Sequence, residues 1–142
     1  MPANFRMNWN VRRVAVLGAG TMGARIAAHL ANCGIPSFLL DIVPAELTSE
    51  EQKRKLDIKT PLVRNRIARQ GLEAARKSKP AAFFTEDAAS LVTVGNFDDH
   101  LSWVAESDWI IEAVAEQMET KRALWQKVAA IRKPGTVAST NS

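Results

Sequence analysis

The chain has 142 residues, 46% of them hydrophobic, with a formal net charge of +4 and a pI near 9.6. That length can bury one substantial core, so one domain is the expectation. No apolar run approaches the ~18 to 20 residues of a membrane span, residues 1–10 lack the apolar core of a signal peptide, and the lone Cys33 cannot form an internal disulfide, which points to a reduced, cytoplasmic setting.

After a leader of residues 1–10, the first predicted element is a strand from Val11 to Leu17, a nearly continuous apolar run as a buried parallel strand should be. It runs into Gly18-Ala19-Gly20-Thr21-Met22-Gly23, where each glycine meets a separate geometric demand. Gly18 permits the tight turn, Gly20 lets backbone approach a pyrophosphate, and Gly23 lets the next helix pack closely on the strand. That helix is predicted over Thr21 to Asn32, with Met22, Ile26 and Leu30 as its apolar stripe and Gly34 stopping it. Its N-terminus offers free N–H groups and a positive dipole end to phosphates. Cys33, near the helix end, reads as a buried filler.

Pro36 to Leu40 forms the second predicted strand, and Asp41 at its end follows Gly18 by 23 positions. A carboxylate about 20 residues after the glycine turn is placed to accept from ribose hydroxyls, which makes this a dinucleotide site. It repels a 2′-phosphate, and Ile42-Val43-Pro44-Ala45 offer no cation, so the cofactor is expected to be NAD, not NADP. Asp41 also stands where it could cap a helix beginning at Pro44.

A helix is predicted from Pro44 to about Ile58, then another entered through Thr60-Pro61 and carrying Leu62, Val63, Ile67 and Ala74. Together they form a long basic excursion between strands two and three. From Lys53 to Lys79 there are ten Lys and Arg against Asp57 and Glu73, a net of +8, leaving −4 for the rest. One segment is basic; the domain is not. Such a patch suits a polyanionic small molecule as well as it suits DNA, or is simply a solvated helix face.

A weak strand follows over Leu91 to Val94, ending at Gly95-Asn96, then a short helix from Asp98 to Ala105. Trp109 to Val114 is a convincing strand. Met118 to Ile131 is an amphipathic helix with Leu124, Val128 and Ile131 on one face, stopped by Pro134-Gly135, and Thr136 to Thr140 is one more strand. The alternation gives an α/β fold with a doubly wound parallel sheet. A chain ending at Ser142, directly after a strand, is expected to be a fragment. His29 and His100 have no paired acid at a strand end and read as structural or surface residues.

These motifs together resemble the NAD-binding domain of L-3-hydroxyacyl-CoA dehydrogenases. They are Gly18 to Ala27, Asp41, Ile110-Ile111-Glu112-Ala113-Val114-Ala115-Glu116 with Lys121, and Lys133-Pro134-Gly135-Thr136 leading to Ser139-Thr140-Asn141-Ser142. The likeness covers nearly everything after Val11. It implies a Rossmann-type domain over residues 11–142, truncated before a helical domain that carries the substrate site and the dimer contact. The longer bacterial versions, some fused to an enoyl-CoA hydratase, are similar through the segment from Pro61 to Phe84.

What the resemblance implies for the site is specific. Gly18, Gly20, Thr21, Met22, Gly23 and Asp41 serve the adenosine and pyrophosphate; Ala113, Val114, Glu116 and Lys121 line the rest of the NAD groove. Ser142 matches the serine that orients the substrate's 3-oxygen, while the catalytic histidine and its glutamate lie downstream of it. Arg25 stands where many members have glycine. The implied activity is oxidation of L-3-hydroxyacyl-CoA in fatty acid β-oxidation, with acyl-CoA as partner and no metal, nucleic acid or membrane. A sister hydroxy-acid dehydrogenase and a non-catalytic NAD-binding module are the rival readings.

Overall fold

The computed structural model describes residues 10–114 and 118–141. Five strands, β1 (Val14–Leu17), β2 (Ser37–Asp41), β3 (Val92–Asn96), β4 (Trp109–Glu112) and β5 (Val137–Thr140), form one parallel sheet in the order β3-β2-β1-β4-β5. The helices are α1 (Thr21–Asn32), α2 (Ser49–Lys53), α3 (Pro61–Arg64), α4 (Arg66–Arg76) and α5 (Met118–Ile131). The strand order reverses between β1 and β4, so the crevice for a ligand lies beyond their C-terminal ends.

Apolar side chains alternate across the sheet into two cores. Val14, Val16, Leu39, Val92 and Ile111 face α1 and α4, while Ala15, Leu17, Phe38, Leu40 and Ile110 face α5 and a 3₁₀ helix over Leu101–Glu106. Both faces are covered, which is why these strands read as continuous apolar runs. Among the described residues, no helix is long and apolar enough to cross a membrane.

Several elements differ from the sequence expectation. Of the stripe Met22, Ile26 and Leu30, only Leu30 is buried in the core, Ile26 packs partly buried at its edge, and small residues make the rest of the contact of α1. Gly23, Ala24, Ala27, Ala28 and Ala31 are buried beside Leu30, and Met22 is 54% exposed. Small residues bring α1 close to the sheet, and the larger Met22 is left outside. Cys33 is exposed, because it caps α1 beyond the last packed turn. Ile131 lies at the end of α5 and is partly exposed, while Leu124 and Val128 are buried.

No helix begins at Pro44. The chain waits until Thr48, whose hydroxyl accepts from the Glu51 N–H while the Glu51 carboxylate accepts from the Thr48 N–H, a reciprocal capping box that fixes the start of α2 at Ser49. The helix then ends at Lys53, well short of Ile58. Proline at the first position of α3 holds as expected, but Thr60 gives no side-chain cap and the helix breaks at Asn65 before resuming as α4. The short helix expected over Asp98 to Ala105 is the 3₁₀ turn, and β3 extends through Gly95 and Asn96.

The segment between β2 and β3 is helical, yet α4 is no free excursion. It buries Ala68 and Ala75 against α1 and the sheet, as an ordinary crossover helix does. Of the ten basic residues of the segment, Arg64, Arg66 and Arg76 hold carboxylates within the molecule. Arg64 binds Asp99 through two nitrogens, at 2.6 and 3.0 Å, and lies 3.9 Å from Asp98. Arg66 pairs with Glu51, and Arg76 with Glu73 at 2.7 Å.

The Arg64 guanidinium, aided by a hydrogen bond from Asn96 Nδ2, pulls the Asp99 carboxyl from 3.8 down to about 2. A carboxylate lowered in the folded state stabilises above its unfolded value and loses that contribution as pH falls toward the folded one. Urea unfolding midpoints should therefore drop between about pH 4 and pH 2, and Asp99→Asn should flatten the drop. An Asp99→Asn profile parallel to the unmodified one would remove Asp99 from the acid response.

Candidate functional site

The first strand ends where Gly18 turns the chain with a φ of +108°, and its N–H donates to the Leu40 carbonyl at 2.7 Å. A Cβ on Gly18 would stand 2.6 Å from the Ala113 carbonyl oxygen and 2.8 Å from the Val114 nitrogen. The turn is thus pressed onto backbone just past β4. Gly23 is equally constrained, because a Cβ there would lie 1.7 Å from the Gly18 oxygen. These two glycines build the turn itself.

Gly20 is different. A Cβ there would meet nothing within 4 Å. No neighbour demands a glycine, so the space beyond it is available to a ligand that must approach the backbone. Gly20 is also the N-cap of α1, provides no side-chain cap, and is followed by a first turn with no acidic residue. The chain caps α2 with a threonine and two glutamates but leaves α1 bare. Its first-turn N–H groups and positive dipole end suit phosphate oxygens.

Asp41 stands at the end of β2. Its Oδ2 accepts from the Ala19 N–H at 2.7 Å and its Oδ1 from the Ile42 N–H at 2.7 Å. It caps no helix at Pro44; it ties the strand to the glycine turn. A carboxylate has about four acceptor positions, so the remainder can serve ribose hydroxyls. Ile42, 53% exposed, lies beside it on a cavity of about 380 Å³ shared with Phe97, Asp98 and Lys127. Sequence reading missed this apolar wall. It also missed Lys127, which reaches the cavity from α5 with Asp98 opposing its charge.

On the other side of the crevice, Ala113 and Val114 receive the Gly18 turn, and the Ala113 N–H donates to the Leu17 carbonyl at 2.7 Å. Lys121 is 92% buried, with Nζ 3.6 Å from Glu112 Oε1, so it is anchored inside rather than lying free along a groove. Glu112, fully buried at the end of β4, was not singled out from sequence. Its partner lies nine positions away on another element, beyond any local pattern. Glu116 and Ser142 lie outside the described residues.

Gly71 of α4 is the other residue sequence reading misjudged, as a mere interruption of a stripe. A Cβ there would be 2.1 Å from the Ala19 oxygen. The crossover helix therefore rests on the glycine turn, and between them lies a cavity of about 250 Å³ bounded by Gly20, Thr21, Arg25, Ala74 and Ser78. Neither histidine is placed for proton transfer here. His29 is exposed on α1, and His100 accepts the Asn96 N–H at 3.0 Å through Nδ1 while packing on Trp103.

Residues 13–142 match the family described as "3-hydroxyacyl-CoA dehydrogenase, NAD binding domain". The chain is 45% identical over 136 residues to a probable 3-hydroxyacyl-CoA dehydrogenase of Bacillus subtilis, covering 96% of this chain and 17% of that protein. It is 43% identical over 132 residues to one from Deinococcus radiodurans, covering 93% of this chain and 34% of the other. Among solved structures, 3-hydroxybutyryl-CoA dehydrogenase from Escherichia coli K12 matches with a TM-score of 0.57 at 28% identity, over 94% of this chain and 25% of that one. The chain therefore spans about a third or less of the length of these curated relatives. With its glycine turn, Asp41 and parallel sheet in the arrangement described above, it belongs to the NAD-binding domain family of 3-hydroxyacyl-CoA dehydrogenases.

Proposed function

We propose that this chain is the cofactor half of an enzyme that oxidises L-3-hydroxyacyl-CoA to 3-oxoacyl-CoA in β-oxidation, and that alone it binds NAD without turnover. The observation that carries this reading is the pair of opposite glycine environments: Gly18 jammed against Ala113, Gly20 open to a ligand at an uncapped helix start. When bound, NAD supplies the hydride acceptor. Gly20, Thr21, Met22 and the first-turn N–H groups hold the pyrophosphate, Asp41 holds the adenosine ribose, and Ala113, Val114, Glu116 and Lys121 border the nicotinamide side. Ser142 orients the 3-oxygen of the substrate.

The acid–base histidine comes from outside these 142 residues in this reading, since His29 and His100 are engaged or placed elsewhere. The helical substrate domain, a homodimer formed through it and a cytoplasmic setting belong to the same proposal. A small polyanion is preferred to nucleic acid as the partner, in keeping with Arg64, Arg66 and Arg76 each holding a carboxylate within the molecule.

Calorimetric titration tests the cofactor assignment. NAD should bind at least tenfold more tightly than NADP, about 1.4 kcal/mol, because Asp41 repels a 2′-phosphate. Asp41→Ala should shrink that ratio. It also removes the acceptor of the Ala19 N–H, so a thermal melt is needed alongside to separate selectivity from loosening of the turn. Equal affinities in the unmodified chain would count decisively against the NAD reading.

A further inference from the structure

Glu112 is 0% exposed, which carboxylates almost never are unless paired. Its groups engage three elements at once. Oε2 accepts the Val114 N–H at 2.8 Å, Oε1 accepts the Thr140 hydroxyl at 2.8 Å, and Lys121 Nζ on α5 stands 3.6 Å away. Its backbone carbonyl accepts the Asn141 N–H at 2.8 Å. One residue thereby fastens the turn after β4, the end of β5 and a buried ammonium.

Stability does not account for such a pair. Desolvating two charges is costly enough that apolar residues of similar volume often serve the fold as well or better. What a buried pair provides that apolar packing does not is a fixed polar geometry. Here that geometry sits beside the crevice. Positions 113 and 114 are the backbone on which Gly18 rests, and Lys121 and Thr140 border a cavity of about 540 Å³ walled by Trp125 and Gln126. Asp41 and Ile42 lie across the switch point, at the end of β2. A dinucleotide with its adenosine there has its second nucleoside on the β4–β5 side.

We infer that Glu112 is a positioning residue for the nicotinamide riboside half of the cofactor, holding Lys121, Val114 and the end of β5 in place without touching the ligand. This rests on the NAD reading and extends it. The discriminating probe is ADP, which keeps the adenine, ribose and pyrophosphate contacts and lacks the second nucleoside. In the unmodified 142-residue chain, calorimetry should show NAD binding more tightly than ADP. Glu112→Gln keeps the volume and an acceptor for the Val114 N–H but strips Lys121 of its charge partner. It should weaken NAD at least tenfold and change ADP less than twofold.

Should Glu112→Gln fail to fold by circular dichroism, Glu112→Asp keeps a charge partner for Lys121 but shortens the reach to Val114 and Thr140, and should show the same selective loss. A parallel loss of NAD and ADP, or no loss of either, overturns the inference and makes Glu112 a purely structural group. So does an unmodified chain that binds NAD no better than ADP. Binding of neither nucleotide by the unmodified chain overturns the NAD reading itself, and this inference with it.

Discussion

Replacing Gly20 by valine is expected to abolish NAD binding and leave the fold standing. Its φ of −67° is open to any L residue, and a Cβ there meets no atom within 4 Å. The cost to the protein is a poorer N-cap, roughly 1 kcal/mol or less. The cost to the ligand is far larger, because a branched side chain then occupies the path by which phosphate oxygens reach the N–H groups of α1. A loss of at least a hundredfold, about 2.7 kcal/mol, is the expected calorimetric result. Gly18→Val is the contrasting control. There the Cβ collides with the Ala113 carbonyl at 2.6 Å and the φ of +108° strains any side chain, so binding and cooperative melting should fail together. If Gly20→Val retains normal NAD affinity, the glycine run is a structural turn and the site lies elsewhere.

The parts legible in the sequence are those whose causes are local. The run into Gly18, the position of Asp41 and the apolar strand before Glu112 each carry their pattern within a few residues, and the parallel sheet follows from their alternation. The errors have identifiable origins. Pro44 suits a first helical position, but the Thr48/Glu51 capping box, itself a local signature, sets the start of α2. In α4 the buried residues are Ala68 and Ala75, which carry little hydrophobic contrast against the charged residues around them, so the core face of this helix is hard to read from its sequence. Two ion pairs that take up charge of this basic segment join residues far apart in the chain, Arg64 of α3 with Asp99 and Arg66 of α4 with Glu51. The burial of Lys121 against Glu112 depends on the packing of α5 over β4, which no spacing rule reports.

Gly71→Ala provides the sharpest test of how the crossover helix and the cofactor turn are joined. In an exposed helix interior this change should stabilise by roughly 0.5 to 1 kcal/mol, since alanine loses less backbone entropy and has the higher helix propensity. At this position the added methyl would stand 2.1 Å from the Ala19 carbonyl oxygen and 3.0 Å from the Ala19 Cβ. The first obstacle is backbone, so rotation of a flexible side chain cannot relieve it. Either α4 lifts from α1, exposing the alanines it buries, or the turn at Ala19 moves. Overpacking of this kind costs about 1 to 3 kcal/mol, enough to reverse the sign that propensity alone predicts. Thermal melting should accordingly fall by several degrees, as ~1 to 2 kcal/mol implies for a domain of this size. Ala19 also donates its N–H to Asp41, so displacing the turn disturbs both parts of the cofactor site proposed above, Asp41 and the start of α1. NAD affinity should drop together with stability, whereas Gly20→Val lowers affinity alone. A Gly71→Ala chain that melts higher than the unmodified one and binds NAD equally well would show that α4 yields at no cost, and that the cofactor turn does not depend on the helix resting against it.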